Sequence, residues 1–260
     1  MKNEIYGHFH PDERPFVDRA WEWVSNAGDY HEVKLTDFLD PRQGYILQSL
    51  ANRHPDVVIR MEGGYAEAER RRALIAPDYR ELDNEDMKMK VLSITPIEQK
   101  IQALEHSDYM GSILGLGIKR DKIGDIRVLE DGCHAVVTSD IADYLDIHLN
   151  AVHRVSASTE ILPISALRGS ESRLELMEIS VASLRLDGIA SDVCRLSRSK
   201  ILAPIKAGRV RVNWKVEEDP SFALKAGDMV SIQGFGRFKV TEIGGLSKKG
   251  RYRVQVGKFV

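Results

Sequence analysis

Seven cationic side chains, Arg185, Arg195, Arg198, Lys200, Lys206, Arg209 and Arg211, fall within 27 consecutive positions, with Asp187 and Asp192 alone opposing them. Clustered guanidinium and ammonium groups are the chemistry that a row of phosphates requires, because each phosphate they neutralise releases condensed counterions. Ser197 stands where it can cap a helix, and a capped N-terminus turns its free N–H groups toward the same anion that Arg198 and Lys200 would meet. The elements that must carry these groups follow from the apolar spacing. Leu184, Ile189, Val193, Ile201, Leu202 and Ile205 recur as the inward side of two short helices, an αα-hairpin with its cations outside. Gly208 then leads into Val210–Val216, whose alternation predicts one half-buried strand. Residues 184–215 therefore read as a nucleic-acid-binding surface.

Other chemistry-bearing groups compete poorly. Gly115-Leu116-Gly117 lacks the third glycine of a dinucleotide loop and leads to a strand rather than a helix. The segment 115–126 reads instead as a basic turn with Lys119, Arg120 and Lys122 exposed beside Asp121. Ser197-Arg198-Ser199-Lys200 satisfies Ser-x-x-Lys, but no Lys-Thr-Gly element accompanies it. His8, His10 and Asp12 are interrupted by Pro11 and answered by no distant ligand pair, so no metal is expected. His106 and Asp108 suit capping or packing better than acid–base work. Trp21 and Trp23 are expected in the core or at a domain interface, and Trp214 and Phe235, although able to stack on bases, inside a β-module. Arg70-Arg71-Arg72 are expected on a solvated helix or strand edge.

The scaffold is α+β in three parts. Residues 1–82 form a mixed helix/hairpin domain: a helix opened by Pro11 and ended by Gly28, a helix around Lys34–Phe38, another from Arg42 to Pro55, and a hairpin across Gly63-Gly64. The acidic stretch Glu81–Asp86 marks the first border. Residues 83–175 read β-α-β-β-α-β, the order of ferredoxin-like and RNA-recognition-motif-like domains. Their elements are a strand at Lys90–Thr95, a helix from Pro96 through Ile101 and Leu104, strands Ile123–Leu129 and Cys133–Thr138, a helix capped by Ser139 or Asp140, and a strand at Glu160–Ile164. The RNA-reading aromatics of a true RNA recognition motif are missing from these strands, so the order alone carries no function. Residues 176–260 are the basic module.

Charge separates these parts. Residues 180–260 hold 16 Lys and Arg against 7 Asp and Glu, a net of +9, and the rest of the chain is left at −11. A basic module on an acidic body is the footprint of selective polyanion binding. Two distant cysteines fit a reducing compartment, and no apolar run approaches a membrane span, so a cytoplasmic protein with no membrane partner is expected.

The stretch also resembles the S-four RNA-binding domain, found in a small-subunit ribosomal protein, pseudouridine synthases, tyrosyl-tRNA synthetases and the heat-shock protein of stalled large subunits. The resemblance rests on Arg185-Leu186-Asp187, Ser197-Arg198, Ala207–Asn213 and Leu224–Asp228, in order over about 55 residues. It implies an αα-hairpin packed on a small antiparallel sheet, with Arg185, Arg198, Lys200, Lys206 and Arg209 lining the RNA face and Arg211 and Lys215 beside it. Pro204 removes a backbone bond and is expected to kink the second helix, which leaves the aim of Lys206 open. Over most of its length the chain looks like the YlmH family, on His106-Ser107-Asp108, Gly115–Ile126, Ser197–Lys200, Val212–Lys215 and Gly234–Phe238. That resemblance implies a bacterial factor binding ribosomal RNA and tRNA on the large subunit carrying peptidyl-tRNA, in the rescue of stalled translation. A non-enzymatic monomer without cofactor or metal is the expectation. The alternative is a pseudouridine-synthase-like or methyltransferase-like RNA-modifying enzyme, for which neither a synthase-type Asp motif nor a glycine-rich nucleotide loop is found. A module whose basic face meets an acidic protein is a third possibility.

Overall fold

The computed structural model describes residues 6–7, 9–97, 104–169, 174–247 and 250–259. The chain divides into two compact units, residues 1–170 and 171–260.

The first unit opens on a 3-10 turn, Pro11–Glu13, which leads into α1 (Arg14–Tyr30). Phe16, Val17, Ala20, Val24 and Ala27 recur on one face of α1 and are buried. The helix runs past Gly28 and ends at His31, whose left-handed backbone closes it. The helix expected around Lys34–Phe38 is a strand, β1 (Lys34–Leu39). Its pairing with the later strand Arg71–Pro77 decides the matter, because a segment this short between a helix end and Asp40-Pro41 gains more from sheet bonds than from one and a half helical turns. α2 (Pro41–Ala51) starts on a reciprocal cap in which Asp40 accepts the Gln43 N–H at 2.8 Å and Gln43 accepts the Asp40 N–H at 2.9 Å. The expected hairpin forms as β2 (Val57–Glu62) and β3 (Arg71–Pro77), in register from Val57↔Pro77 to Glu62↔Arg72. The sheet order is β1-β3-β2, and α1 and α2 share its core, with Trp21 and Trp23 packed at the margin.

The second half of this unit is β4 (Met89–Pro96), α3 (His106–Gly115), β5 (Ile123–Leu129), β6 (Gly132–Thr138), α4 (Ser139–His148), β7 (Ala151–Val152) and β8 (Val155–Leu162). The antiparallel order β5-β6-β4-β8, extended by the two-residue β7, is that of a ferredoxin-like sheet. Pro96 ends β4 rather than opening a helix, since Thr95 and Pro96 still pair with Ser158 and Ala157. Ile101 lies outside the described residues, and α3 begins only at His106. Thr138, not Ser139 or Asp140, is the N-cap residue of α4, because β6 runs straight into the helix. Gly132 closes the β5–β6 turn at φ 153°, where a Cβ would stand 2.2 Å from the Ile94 carbonyl oxygen.

The two halves are stitched by arginines expected in solvent. Arg72 is 7% exposed and donates to the carbonyls of Thr36, Met87 and Lys88, each at 2.7 Å. Arg70 donates to Ile123 O and Phe38 O at 3.1 and 2.9 Å, whereas Arg71 closes its own β2–β3 loop through Ala68 O and Ala66 O. Carbonyls at strand ends have no ladder partner, and a guanidinium fork satisfies several at once. Asp125 completes the junction, accepting from Tyr65 Oη at 2.8 Å and from the backbone N–H groups of Glu69 and Arg70. The acidic stretch Glu81–Asp86 lies within this unit, its Leu82 and Glu85 carbonyls held by Arg60.

The second unit comprises β9 (Leu174–Val181), α5 (Leu186–Cys194), α6 (Arg198–Lys206), β10 (Val210–Val212), β11 (Lys215–Val216), β12 (Met229–Ile232), β13 (Gly236–Leu246) and β14 (Tyr252–Phe259). Its antiparallel sheet runs β11-β10-β12-β13-β14-β9. Leu186, Ile189, Val193, Ile201 and Ile205 of the hairpin join Val210, Val212, Val230, Phe238, Val254 and others of the sheet in one core. The single strand expected over Val210–Val216 breaks at Asn213-Trp214, both left-handed, into the β10–β11 hairpin. Among the described residues no helix is long and apolar enough to cross a membrane.

Candidate nucleic-acid interface

The αα-hairpin is organised on a carboxylate. Arg185 holds the N-cap position of α5, and its Nε and Nη2 donate to Asp187 Oδ1 and Oδ2, both at 3.0 Å. Arg198, in the first turn of α6, places Nη2 3.7 Å from the same Oδ1. The Asp187 side chain is 7% exposed, while those of Arg185 and Arg198 are 43% and 59% exposed. One buried acid thus binds the Arg185 guanidinium through two hydrogen bonds and holds that of Arg198 at ion-pair distance, and it leaves an edge of each in solvent. Burial drives the Asp187 carboxyl upward, but the hydrogen bond from Arg185 and the charges of Arg198 and Arg185 outweigh it and hold the group below its ordinary value. Gly188 makes room, since a Cβ there would lie 3.3 Å from Arg198 Nη2. The chain behind α5 is pinned by Leu186 N to Phe222 O, Asp187 N to Pro220 O and Leu224 N to Leu184 O, at 2.8 to 3.1 Å.

α6 starts as expected. Ser197 is its N-cap, with Oγ accepting the Lys200 N–H at 3.4 Å. Lys200, Ala203 and Lys206 follow at i+3 spacing and are all exposed, so the two lysines share one outer ridge. The helix continues through Pro204, whose carbonyl accepts the Arg209 N–H at 2.9 Å, and Lys206 remains helical. The expected kink does not interrupt it because Pro204 sits in the last turn, where only the Lys200 carbonyl loses a donor. Lys200, Lys206, Arg209 and Lys215 are exposed and make no ion pair among the described residues. Arg211 departs from the rest. It alternates with the buried Val210 and Val212, so it leaves the sheet on the face away from the helices and donates to Trp214 O at 3.0 Å.

The basic turn of the first unit is largely used up internally. Lys119 is exposed, but Arg120 folds back on the carbonyls of Ile123 and Gly124. Lys122 bridges Asp37 Oδ1 at 2.9 Å and Asp140 Oδ2 at 2.8 Å with its side chain 27% exposed. It ties β1 to the start of α4. Sequence reasoning expected all three in solvent because it had no way to see Asp37 across the domain junction.

Asp187 enters the sequence reading as an opposing charge and as part of the Arg185-Leu186-Asp187 motif, but its role as partner of both arginines appears only in the fold. Its spacing two residues after Arg185 was the available signal. The remaining decoys resolve into local structure. Gly115 and Gly117 terminate α3 rather than open a helix, and the latter has φ 82°. Ser197 and Asp108 are caps, the latter accepting the Glu105 N–H at 2.9 Å. His10 accepts the Asp12 N–H, and His8 lies outside the described residues. No group of three metal-ligating side chains occurs among the described residues. Phe235 is 45% exposed on the β12–β13 turn rather than packed inside, and Trp214 is half-buried outside the core.

Three family models match the chain: one described as "YlmH, N-terminal" over residues 12–80, one as "Putative RNA-binding domain in YlmH" over 83–166, and one as "S4 domain" over 195–230. A curated relative, "Ribosome-associated protein quality control protein P2" of Bacillus subtilis (strain 168), is 38% identical over 252 residues, which is 97% of each chain. A solved structure described as "Cell division protein ylmH from Streptococcus pneumoniae" superposes with a TM-score of 0.52 at 28% identity, covering 61% of this chain and 95% of that one.

Proposed function

The chain belongs to the YlmH family, and from that premise we propose that it is a ribosome-associated RNA-binding protein that grips structured RNA through phosphates and performs no chemistry on it. The observation that carries this reading is the Arg185–Asp187–Arg198 triad at the joint of the αα-hairpin, with Lys200 and Lys206 open on the adjoining ridge. A bidentate ion pair with spare N–H groups is a preorganised phosphate clamp: the guanidiniums are held in place before RNA arrives, so little side-chain freedom is lost on binding. Arg209 and Lys215 add exposed cations beyond α6, Arg211 adds one on the opposite face of its strand, and Lys119 is exposed on the basic turn of the first unit.

The RNA we assign is ribosomal RNA and tRNA on the large subunit carrying peptidyl-tRNA, during rescue of stalled translation. The relative's printed name, a ribosome-associated quality control protein, supports that setting. The enzymatic alternative gains nothing from the residues, since Ser197 and Asp108 are both spent as helix caps. The test is co-sedimentation with large subunits of wild type and of R185A/R198A. Loss of the double variant from the subunit fraction, with an unchanged circular dichroism spectrum, is expected. Undiminished co-sedimentation would remove the basis of the assignment.

A further inference from the structure

The β10–β11 turn holds a residue its backbone does not favour. Asn213 and Trp214 have φ of 49° and 65°, the paired left-handed conformations of a type I′ turn. That geometry selects Asn-Gly: asparagine tolerates it, glycine is free in it, and a bulky indole is a genuine outlier there. The scaffold holds the strain in place. The Asn213 N–H donates to Met229 O at 2.8 Å, its Oδ1 accepts the Met229 N–H at 2.9 Å, and its Nδ2 donates to Asp228 Oδ1 at 2.8 Å. Arg211 holds the Trp214 carbonyl from the other side at 3.0 Å. A turn locked this firmly around the wrong residue indicates that the side chain is wanted for itself.

The indole is not wanted for packing. The core of this unit recruits half-buried Leu184, Leu196, Ile243 and Tyr252 at its margins, but not Trp214. Among the described residues its ring has neither an aromatic nor a cationic partner. It stands instead on an edge hairpin of the sheet, next in the chain to the exposed Lys215, with Arg211 bonded to its carbonyl. An aromatic ring without a packing partner, carried on a turn beside a basic strand, can receive an unstacked base while neighbouring charges hold its backbone.

We propose that Trp214 is a stacking platform for an unpaired base of the bound RNA, so that this surface prefers a loop or bulge to a continuous duplex. The inference rests on the RNA-binding reading above.

The full chain tests it, with an end-labelled hairpin RNA carrying an adenine-rich loop and the same stem as a blunt duplex. Replacing Trp214 by Gly supplies the residue the turn prefers, so W214G should melt at or above wild type. It should also bind the looped RNA roughly tenfold more weakly, leave duplex binding unchanged and lose the quenching of indole fluorescence that the looped RNA produces. W214F keeps a π-face and should stay within about threefold of wild type. Unchanged loop affinity in W214G overturns the proposal. Equal weakening toward loop and duplex does so too, and so does a lowered melting temperature that W214F restores, which marks a structural residue. If wild type binds neither RNA, the RNA-binding reading itself fails.

Discussion

The phosphate-clamp reading of Arg185 and Arg198 makes a quantitative claim about salt. If each guanidinium neutralises one phosphate, replacing both by Gln removes about 1.8 from the slope of log affinity against log salt. At about 150 mM salt, roughly 0.8 decade below the 1 M reference, that is about 1.5 log units, or a roughly 30-fold loss of affinity. At about 500 mM the same two contacts are worth only a roughly 3- to 4-fold loss. The exposures of 43% and 59% are what allow this, since each side chain can reach a phosphate without releasing Asp187. R185Q/R198Q also strips a buried carboxylate of both cations, which costs about 1–3 kcal/mol of stability. Adding D187N to the double variant should recover part of that stability without recovering RNA affinity. The Asp187 contribution is present above the ordinary carboxylate value of 3.8 and is lost as pH falls through its depressed folded value, so wild type and the triple variant should converge in acid. Fluorescence anisotropy of a labelled RNA hairpin, titrated across salt, reads the affinities, and thermal melts read the stability. A deficit that stays constant between the two salt concentrations would refute the clamp, because a lost packing contact does not scale with counterion release.

Three further outcomes follow from the same geometry. K122A should destabilise the fold by about 1 kcal/mol for a pair of partly exposed ion pairs, read as a lower melting temperature, and leave RNA affinity and its salt slope untouched. Because the Lys122 value is raised and that of Asp140 lowered, its deficit should hold across neutral pH, shrinking only as pH rises past the lysine or falls past the aspartate. R72M removes donors from the Thr36, Met87 and Lys88 carbonyls, of which Lys88 keeps the Ser139 N–H, and should cost about 2 kcal/mol or more, read by chemical denaturation. P204A returns a donor to the Lys200 carbonyl and should melt slightly higher with unchanged RNA affinity; weaker binding would mean that the proline aims Lys206 after all.

Much of the fold was legible locally. The αα-hairpin was marked by apolar spacing and by Ser197, the ferredoxin-like half by its strand and helix order, and the N-terminal hairpin by two alternating runs. Each of these is set by neighbours a few residues away. The errors lie where a distant partner outbids local preference. Lys34–Leu39 has a helix-compatible pattern but is drawn into a strand by Ile75 and Leu74 across the sheet. Val210–Val216 alternates throughout yet folds at Asn213, because Met229 and Asp228, more than a dozen residues on, clamp that asparagine.

The candidate site divides along the same line. The amino-acid sequence by itself determined that a dense positive charge would sit on an αα-hairpin, because charge and helical period are additive properties of nearby residues. Only tertiary structure could decide which of those charges were open to a ligand. Burial and pairing depend on what lies across the fold: Asp37 and Asp140 take Lys122, strand-end carbonyls take Arg70 and Arg72, and Asp187 holds Arg185 and Arg198 side by side with their outer edges free. Arginine does all of these jobs with one side chain, so its role is written in the partners that folding brings to it.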